Sequence, residues 1–241
     1  MTAGVRRIAV LASGRGSNLD ALHRYLAALG PSAAAAIALV VCDRDTAGAL
    51  ALADALGIAA RVAPPAPDHA ERLGALLSEF DIDLVVLAGY VRLVPDAVVR
   101  TFRGRVVNVH PALLPAFGGR GMYGARVHQA VLDAGARVTG VTVHFVDPVY
   151  DHGAIIAQWP VPVIDGDSAV SLAARVLRVE HLLFPRVVQA VAAGRVTLDD
   201  RGRAVWSDGA PRDSVAFVPE SLEDHELVRY IDHALDCRAS R

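Results

Sequence analysis

The sequence predicts an α/β fold: a mostly parallel sheet flanked by helices, with antiparallel strands in the C-terminal half. Three observations carry this. Strand-like and helix-like segments alternate over the first hundred residues, as in βαβ units. The run DLVVLAG (83–89) is continuously apolar, as expected of a strand buried on both faces. Two further strand-like runs, 138–146 and 154–163, are separated only by a turn-rich link, which favours an antiparallel pair.

The elements follow in order. RRIAVLAS (6–13) reads as the first strand, and Ser17 to Leu29 as a helix with apolar positions at 19, 22, 26 and 29. The alanine cluster at 33–36 belongs to a turn or strand entry, and IALVVCD (37–43) is the second strand. A helix near 46–56 stops at Gly57, a short strand near 59–63 runs into PPAP, and a helix covers roughly 68–79. In GRVVNVHPALLP (104–115), Val106, Val107 and Val109 mark a strand that Pro111 stops. LLPAFGGRGMYG (113–124) reads as a loop, and Val127 to Ala134 as a helix. Asp167-Ser168 caps a long helix reaching about Ala193, which Pro185 is expected to kink or divide. VTLDDRGRAVW (196–206) is a small hairpin, and a final helix is expected near 221–237.

Composition narrows the function classes. The 241 residues are 53% apolar, enough for a sizeable core, and suit one α/β domain or one domain with an extension. With 24 Lys+Arg against 26 Asp+Glu and a formal charge of −2, no basic field for nucleic acid appears. The apolar stretches are strand-sized, so no membrane span is expected. The N-terminus has arginines before an apolar run, but that run is short and leads into Gly-Arg-Gly-Ser-Asn without a cleavage site, so it reads as a strand. The two distant cysteines, Cys42 and Cys237, suggest reduced thiols and a cytoplasmic enzyme.

Four places hold residues able to carry chemistry. Asn108 and His110 project from one face at the carboxyl end of their strand, where ligands bind in open α/β sheets. An amide and a protonatable imidazole side by side suit an oxyanion, although two buried polar residues also serve to fix a loop. The loop Ser13-Gly14-Arg15-Gly16-Ser17-Asn18-Leu19 joins a strand to a helix N-terminus and favours a phosphate. Leu19 stands where a dinucleotide fingerprint wants glycine, although Asp43 resembles the ribose-binding acid of such folds. In HFVDPVYDH (144–152), Thr142, His144 and Val146 share a strand face, and Asp147 or Asp151 is placed to serve His110, with Asp147 read as a turn residue. His144, Asp151 and His152 match no zinc spacing, so no metal is expected. Arg92, after the fourth strand, suits a carboxylate or solvent; Glu180 and His181, adjacent on the long helix, point in different directions, so one is able to face a ligand, although solvated helix residues are the default.

Taken together, SGRGSNL (13–19), DLVVLAGYVRLV (83–94), VVNVHPALLPAF (106–117), VTGVTVHFVDPVYDHGAIIAQ (138–158), ARVLRVEHLLFP (174–185) and AAG (192–194) resemble the folate-dependent formyltransferases, and among them the phosphoribosylglycinamide formyltransferases. The resemblance implies a Rossmann-like formyltransferase domain over 1–206, with a phosphate-binding half near 1–104 and a folate and catalytic half near 105–206, followed by a C-terminal extension at 207–241. It implies catalytic roles for Asn108, His110 and Asp151, the last through its D-x-G motif; phosphate binding by Gly16, Ser17 and Asn18; and a ribonucleotide contact at Glu180. It places Leu87, Arg92, Leu93, Val94 and Val146 at the folate pocket, with Val143 nearby and His144 in a supporting role. The implied reaction moves a formyl group from 10-formyltetrahydrofolate to the amine of glycinamide ribonucleotide in purine synthesis. Asn108 and protonated His110 would stabilise the oxyanion, and Asp151 would favour the charged imidazole. The implied partners are these small molecules, without nucleic acid, membrane or metal, in a monomer or homodimer.

The sequence departs from the family at Cys42-Asp43-Arg44, where Ser-Asn-Arg is common; in the 116–124 loop; and at Leu177, where a polar phosphate contact is usual. An amino-sugar nucleotide is the alternative acceptor. A silent binding protein on this fold would have no need of Asn108, His110 and Asp151 together.

Overall fold

A computed structural model describes residues 4–207 and 224–235. The chain begins with β1 (Arg6–Ala12), α1 (Ser17–Leu29), a 3₁₀ turn (Gly30–Ser32), β2 (Ala35–Cys42), α2 (Gly48–Ala55), β3 (Ala60–Val62), α3 (His69–Glu79) and β4 (Leu84–Leu87). It continues with α4 (Asp96–Thr101), β5 (Val106–His110), α5 (Ala125–Asp133), β6 (Val138–Phe145), β7 (Ile155–Pro162) and α6 (Ala169–Ala192). A hairpin, β8 (Val196–Leu198) and β9 (Ala204–Trp206), precedes α7 (Asp224–Leu235).

Seven strands form one sheet in the order β3-β2-β1-β4-β5-β6-β7. The first five run parallel, and β6 and β7 are antiparallel. Both faces are covered, which explains the continuous apolar runs. On β1, Ile8, Val10 and Ala12 join a core with Leu19, Leu22, Leu172, Leu183 and Phe184, whereas Ala9 and Leu11 join a second core with Leu73, Leu77, Val98 and Phe102. The chain leaves β1 toward β2 on one side and crosses back to β4 on the other. The carboxyl ends of β1 and β4 therefore open a crevice at a topological switch point.

The helices depart from the sequence reading in two places. Pro185 does not divide the long helix: α6 is continuous over 24 residues with Pro185 inside it. A mid-helix proline costs about 3 kcal/mol. Leu183, Phe184, Val187 and Val188 around it are all buried, and each such side chain contributes about 1.5–3 kcal/mol, so packing wins. The sequence reading also lacks α4, whose six residues after Pro95 are too few to display a helical period.

The C-terminal elements pack on the domain. Trp206 donates its indole N–H to the Ile156 carbonyl at 3.3 Å. Helix α7 buries Leu227 and Ile231, and its Asp232 pairs with Arg186 of α6. The final helix expected near 221–237 is α7 where described, and Cys237 lies outside the described residues. Among the described residues, no helix is long and apolar enough to cross a membrane.

Candidate active site

Strand β5 alternates as its sequence requires. Val107 and Val109 lie in the core on one side, while Asn108 and His110 face the other way. Antiparallel pairing sets Asn108 directly opposite His144, and His110 opposite Thr142. The Asn108 amide nitrogen lies 3.0 Å from His144 Nε2 and 3.4 Å from Asp151 Oδ1. His144 Nδ1 lies 2.8 Å from the Phe145 carbonyl. A carbonyl only accepts, so Nδ1 carries the proton and Nε2 accepts from Asn108. Likewise His110 Nε2 donates to the Phe117 carbonyl at 2.9 Å, leaving Nδ1 3.6 Å from Asp151 Oδ2.

Asp151 comes from the turn after β6 and adopts a left-handed backbone, φ 51°. It also accepts the Gly119 N–H at 2.9 Å, and its Oδ1 lies 3.8 Å from His144 Nε2. Gly153, two residues on, is required sterically, because a Cβ there would sit 1.9 Å from the Phe145 carbonyl oxygen. The D-x-G spacing thus combines a strained carboxylate with a close backbone approach. Asp147, as expected of a turn residue, accepts the Val149 N–H at 2.9 Å, and it also pairs with exposed His152.

Burial is the largest influence on His110 and lowers its pKa; Asp151 and the Phe117 carbonyl act upward without overturning that direction. Asp151 shows the reverse balance. Burial pushes it up, but His144, His110 and the Gly119 N–H outweigh it, and the carboxyl stays below its ordinary value. These directions favour an anionic carboxylate beside a neutral imidazole in the resting site.

Thr142 and Gln158 are the residues that the sequence reading missed. The buried Thr142 hydroxyl donates to the Ala112 carbonyl at 2.6 Å and accepts the Leu114 N–H at 3.0 Å. Gln158 Nε2 reaches both Thr142 Oγ1 (3.0 Å) and the Leu114 carbonyl (2.9 Å). Together they fix the chain that leaves His110. Thr142 shares a face with His144 and was visible in the strand period; Gln158 depends on the β6–β7 register, which no motif reveals. Thr142→Val keeps the shape and orphans these partners. We expect a loss of about 1–3 kcal/mol, read as a lower thermal midpoint, with a lower turnover rate.

The β1–α1 loop lines the crevice beside this cluster. Gly16 holds φ 90°, and α1 begins at Ser17, leaving its first N–H groups without helical partners. Asn18 is buried, and its side-chain amide donates to Glu180 at 2.7 Å while Asn18 Oδ1 is unpartnered. Glu180 is itself buried rather than solvated, and desolvation pushes its pKa up to about 7. Of the residues expected at the folate pocket, Leu87 and Val94 are buried, Val146 is half-buried and Leu93 is exposed. Arg92 Nε lies 3.1 Å from Asp43. Among the described residues, no group of three or more His, Cys, Asp or Glu is placed to hold a metal ion.

Comparison with known proteins matches residues 6–188 to the formyl transferase family. A chloroplastic phosphoribosylglycinamide formyltransferase of Vigna unguiculata is 41% identical over 212 residues, covering 86% of this chain and 65% of that protein. The chain thus spans slightly less than two thirds of this relative. The phosphoribosylglycinamide formyltransferase of Bacillus subtilis is 33% identical over 203 residues, covering 82% of this chain and 98% of that one. The crystal structure of the enzyme of that name from Anaplasma phagocytophilum superposes with a TM-score of 0.78 at 33% identity, covering 89% of this chain and 99% of the other. The family match spans the glycine loop, the paired strands that carry Asn108, His110 and His144, and the turn that supplies Asp151, so the chain belongs to the formyl transferase family.

Proposed function

We propose that the protein transfers a formyl group from 10-formyltetrahydrofolate to the amine of glycinamide ribonucleotide, a step of purine biosynthesis. The observation that carries this reading is the convergence of Asn108, His110 and Asp151 at the carboxyl end of β5, beside a glycine loop at a helix N-terminus. The relatives named above favour this acceptor over an amino-sugar nucleotide.

The roles follow from the geometry. The ribonucleotide phosphate sits on the backbone N–H groups at Gly16, Ser17 and Asn18. The Asn18 side chain points to Glu180, so it orients the carboxylate that contacts the ribonucleotide. The formyl carbon is attacked by the amine. Its oxygen gains charge and takes hydrogen bonds from the Asn108 amide and from His110, which donates through Nδ1 once that nitrogen is protonated, because Nε2–H is held by the Phe117 carbonyl. The 3.4 Å contact of Asn108 to Asp151 is the weaker of its two and the one exchanged for that oxygen. As the carbon–N10 bond breaks, the proton lost by the attacking nitrogen reaches N10 through Asp151 and water. The donor occupies the side formed by Leu87, Arg92, Leu93, Val94 and Val146, and His144 holds Asn108 in place.

We assign residues 1–206 to the formyltransferase domain, supported by the family match and by Trp206 bonding to Ile156, and 207–241 to an extension. The reading keeps a cytoplasmic enzyme with small-molecule partners, without nucleic acid, as a monomer or homodimer. The test is formyl transfer followed by absorbance with both acceptors. Turnover with glycinamide ribonucleotide and not with an amino-sugar nucleotide is expected, and the opposite preference defeats the reading.

A further inference from the structure

Asp43 directly follows β2, and its side chain is completely buried. Arg44 binds it side-on, Nε to Oδ1 and Nη2 to Oδ2, both at 3.1 Å, and Arg92 Nε joins Oδ2 at 3.1 Å. Ser13, the first residue of the glycine loop, bonds the same carboxylate, and its Oγ accepts the Val91 N–H at 3.1 Å. One carboxylate therefore ties together the carboxyl ends of β1, β2 and β4, the strands that frame the crevice.

Two guanidiniums around one carboxylate leave the cluster with one positive charge in excess. Arg44 uses two of its nitrogens on Asp43. Arg92 is held through Nε, while half of its side chain (51%) is exposed. A guanidinium fixed at Nε keeps its terminal nitrogens in a set direction, the fork suited to the two oxygens of a carboxylate. Fixing it beforehand reduces the rotamer entropy lost on binding. An asparagine at position 43 offers a single acceptor oxygen and no charge, too little for both arginines.

We propose that Asp43 is a positioning residue that holds Arg92 at the mouth of the crevice, where its guanidinium takes a glutamate carboxylate of the folate donor. This rests on the formyl-transfer reading above. Asp43 touches no reacting atom, so its effect falls on donor binding and not on the chemical step.

The test compares wild type, Asp43→Asn and Asp43→Glu with two donors: 10-formyltetrahydrofolate, and the same molecule with both glutamate carboxylates converted to amides. For the natural donor, Asp43→Asn should raise KM about tenfold with kcat nearly unchanged, and Asp43→Glu should recover part of the loss. For the diamide, KM should be high in wild type and no higher in Asp43→Asn. An unchanged KM for the natural donor overturns the proposal, as does an equal rise for both donors, which marks a purely structural role. If Asp43→Asn does not fold, Arg92→Gln is read in the same way: it must lose affinity for the natural donor and not for the diamide. Absence of turnover in wild type defeats the formyl-transfer reading instead. Fluorescence titration with the two donors then still tests Asp43, and equal binding to wild type and Asp43→Asn overturns its role.

Discussion

His110→Ala lowers kcat by about 10²–10³, the usual effect of removing one oxyanion donor, and leaves binding of the folate donor measurable. Asn108→Ala falls in the same range. The double variant should fall short of the product of the two, because both groups serve one oxygen. Steady-state rates with saturating ribonucleotide check this, and a loss under tenfold in both single variants would remove the pair from the chemistry. The imidazole itself has a signature. His110 should titrate below the ordinary histidine value of about 6.5, because burial outweighs Asp151. Asp151→Asn removes the anion that favours the imidazolium, so the His110 pKa should drop further. NMR titration of the His110 ring follows both.

Glu180→Gln should make the protein more stable at pH 8 while impairing ribonucleotide binding. The carboxyl is buried, with desolvation lifting its pKa from 4.5 to about 7. The folded state therefore holds the proton more tightly than the unfolded chain. Stability is greatest below the unfolded pKa, declines as pH rises from about 4.5 to 7, and stays reduced above that. A gap of this size corresponds to roughly 3 kcal/mol at most. The amide carries no charge to desolvate, and its NH₂ can satisfy Asn18 Oδ1, which has no partner in the wild type. Thermal midpoints should coincide at pH 4.5 and separate by several degrees at pH 8, at about 2–4 °C per kcal/mol for a domain of this size. The KM for ribonucleotide should rise in the same variant. Coincident midpoints at both pH values would mean that the buried carboxylate carries no penalty.

The sheet was readable because its strands are short, apolar and punctuated, and Asn108 and His110 stood out because alternation on β5 placed two polar groups where apolar ones belong. The burial of Glu180, against the solvated default for a helix carboxylate, has a signal in the sequence. Val176, Val179 and Leu183 are apolar, and position 180 falls within the same stripe at i, i+3, i+4, i+7. The Asp43–Arg92 pair joins residues 49 apart through two strand ends, and no local pattern encodes such a meeting. Asp151 was separable from Asp147 by resemblance alone, since both are turn carboxylates near the same strand. The physical distinction, Gly153 packed against the Phe145 carbonyl, needs coordinates.

The direct opposition of Asn108 and His144 across an antiparallel ladder makes their separation a property of the backbone hydrogen-bond repeat. Nothing in the length of the 113–124 or 146–154 loops enters it. The Asn108–His144 pair keeps its spacing when those loops change, whereas Asp151, carried by the 146–154 turn and held by the Gly119 N–H, does not. Loop exchange on this scaffold must therefore preserve the Phe117 carbonyl, the Gly119 N–H and Asp151. The limit is a single-residue slip of β6, which would turn His144 into the opposite core and leave Asn108 facing an apolar neighbour.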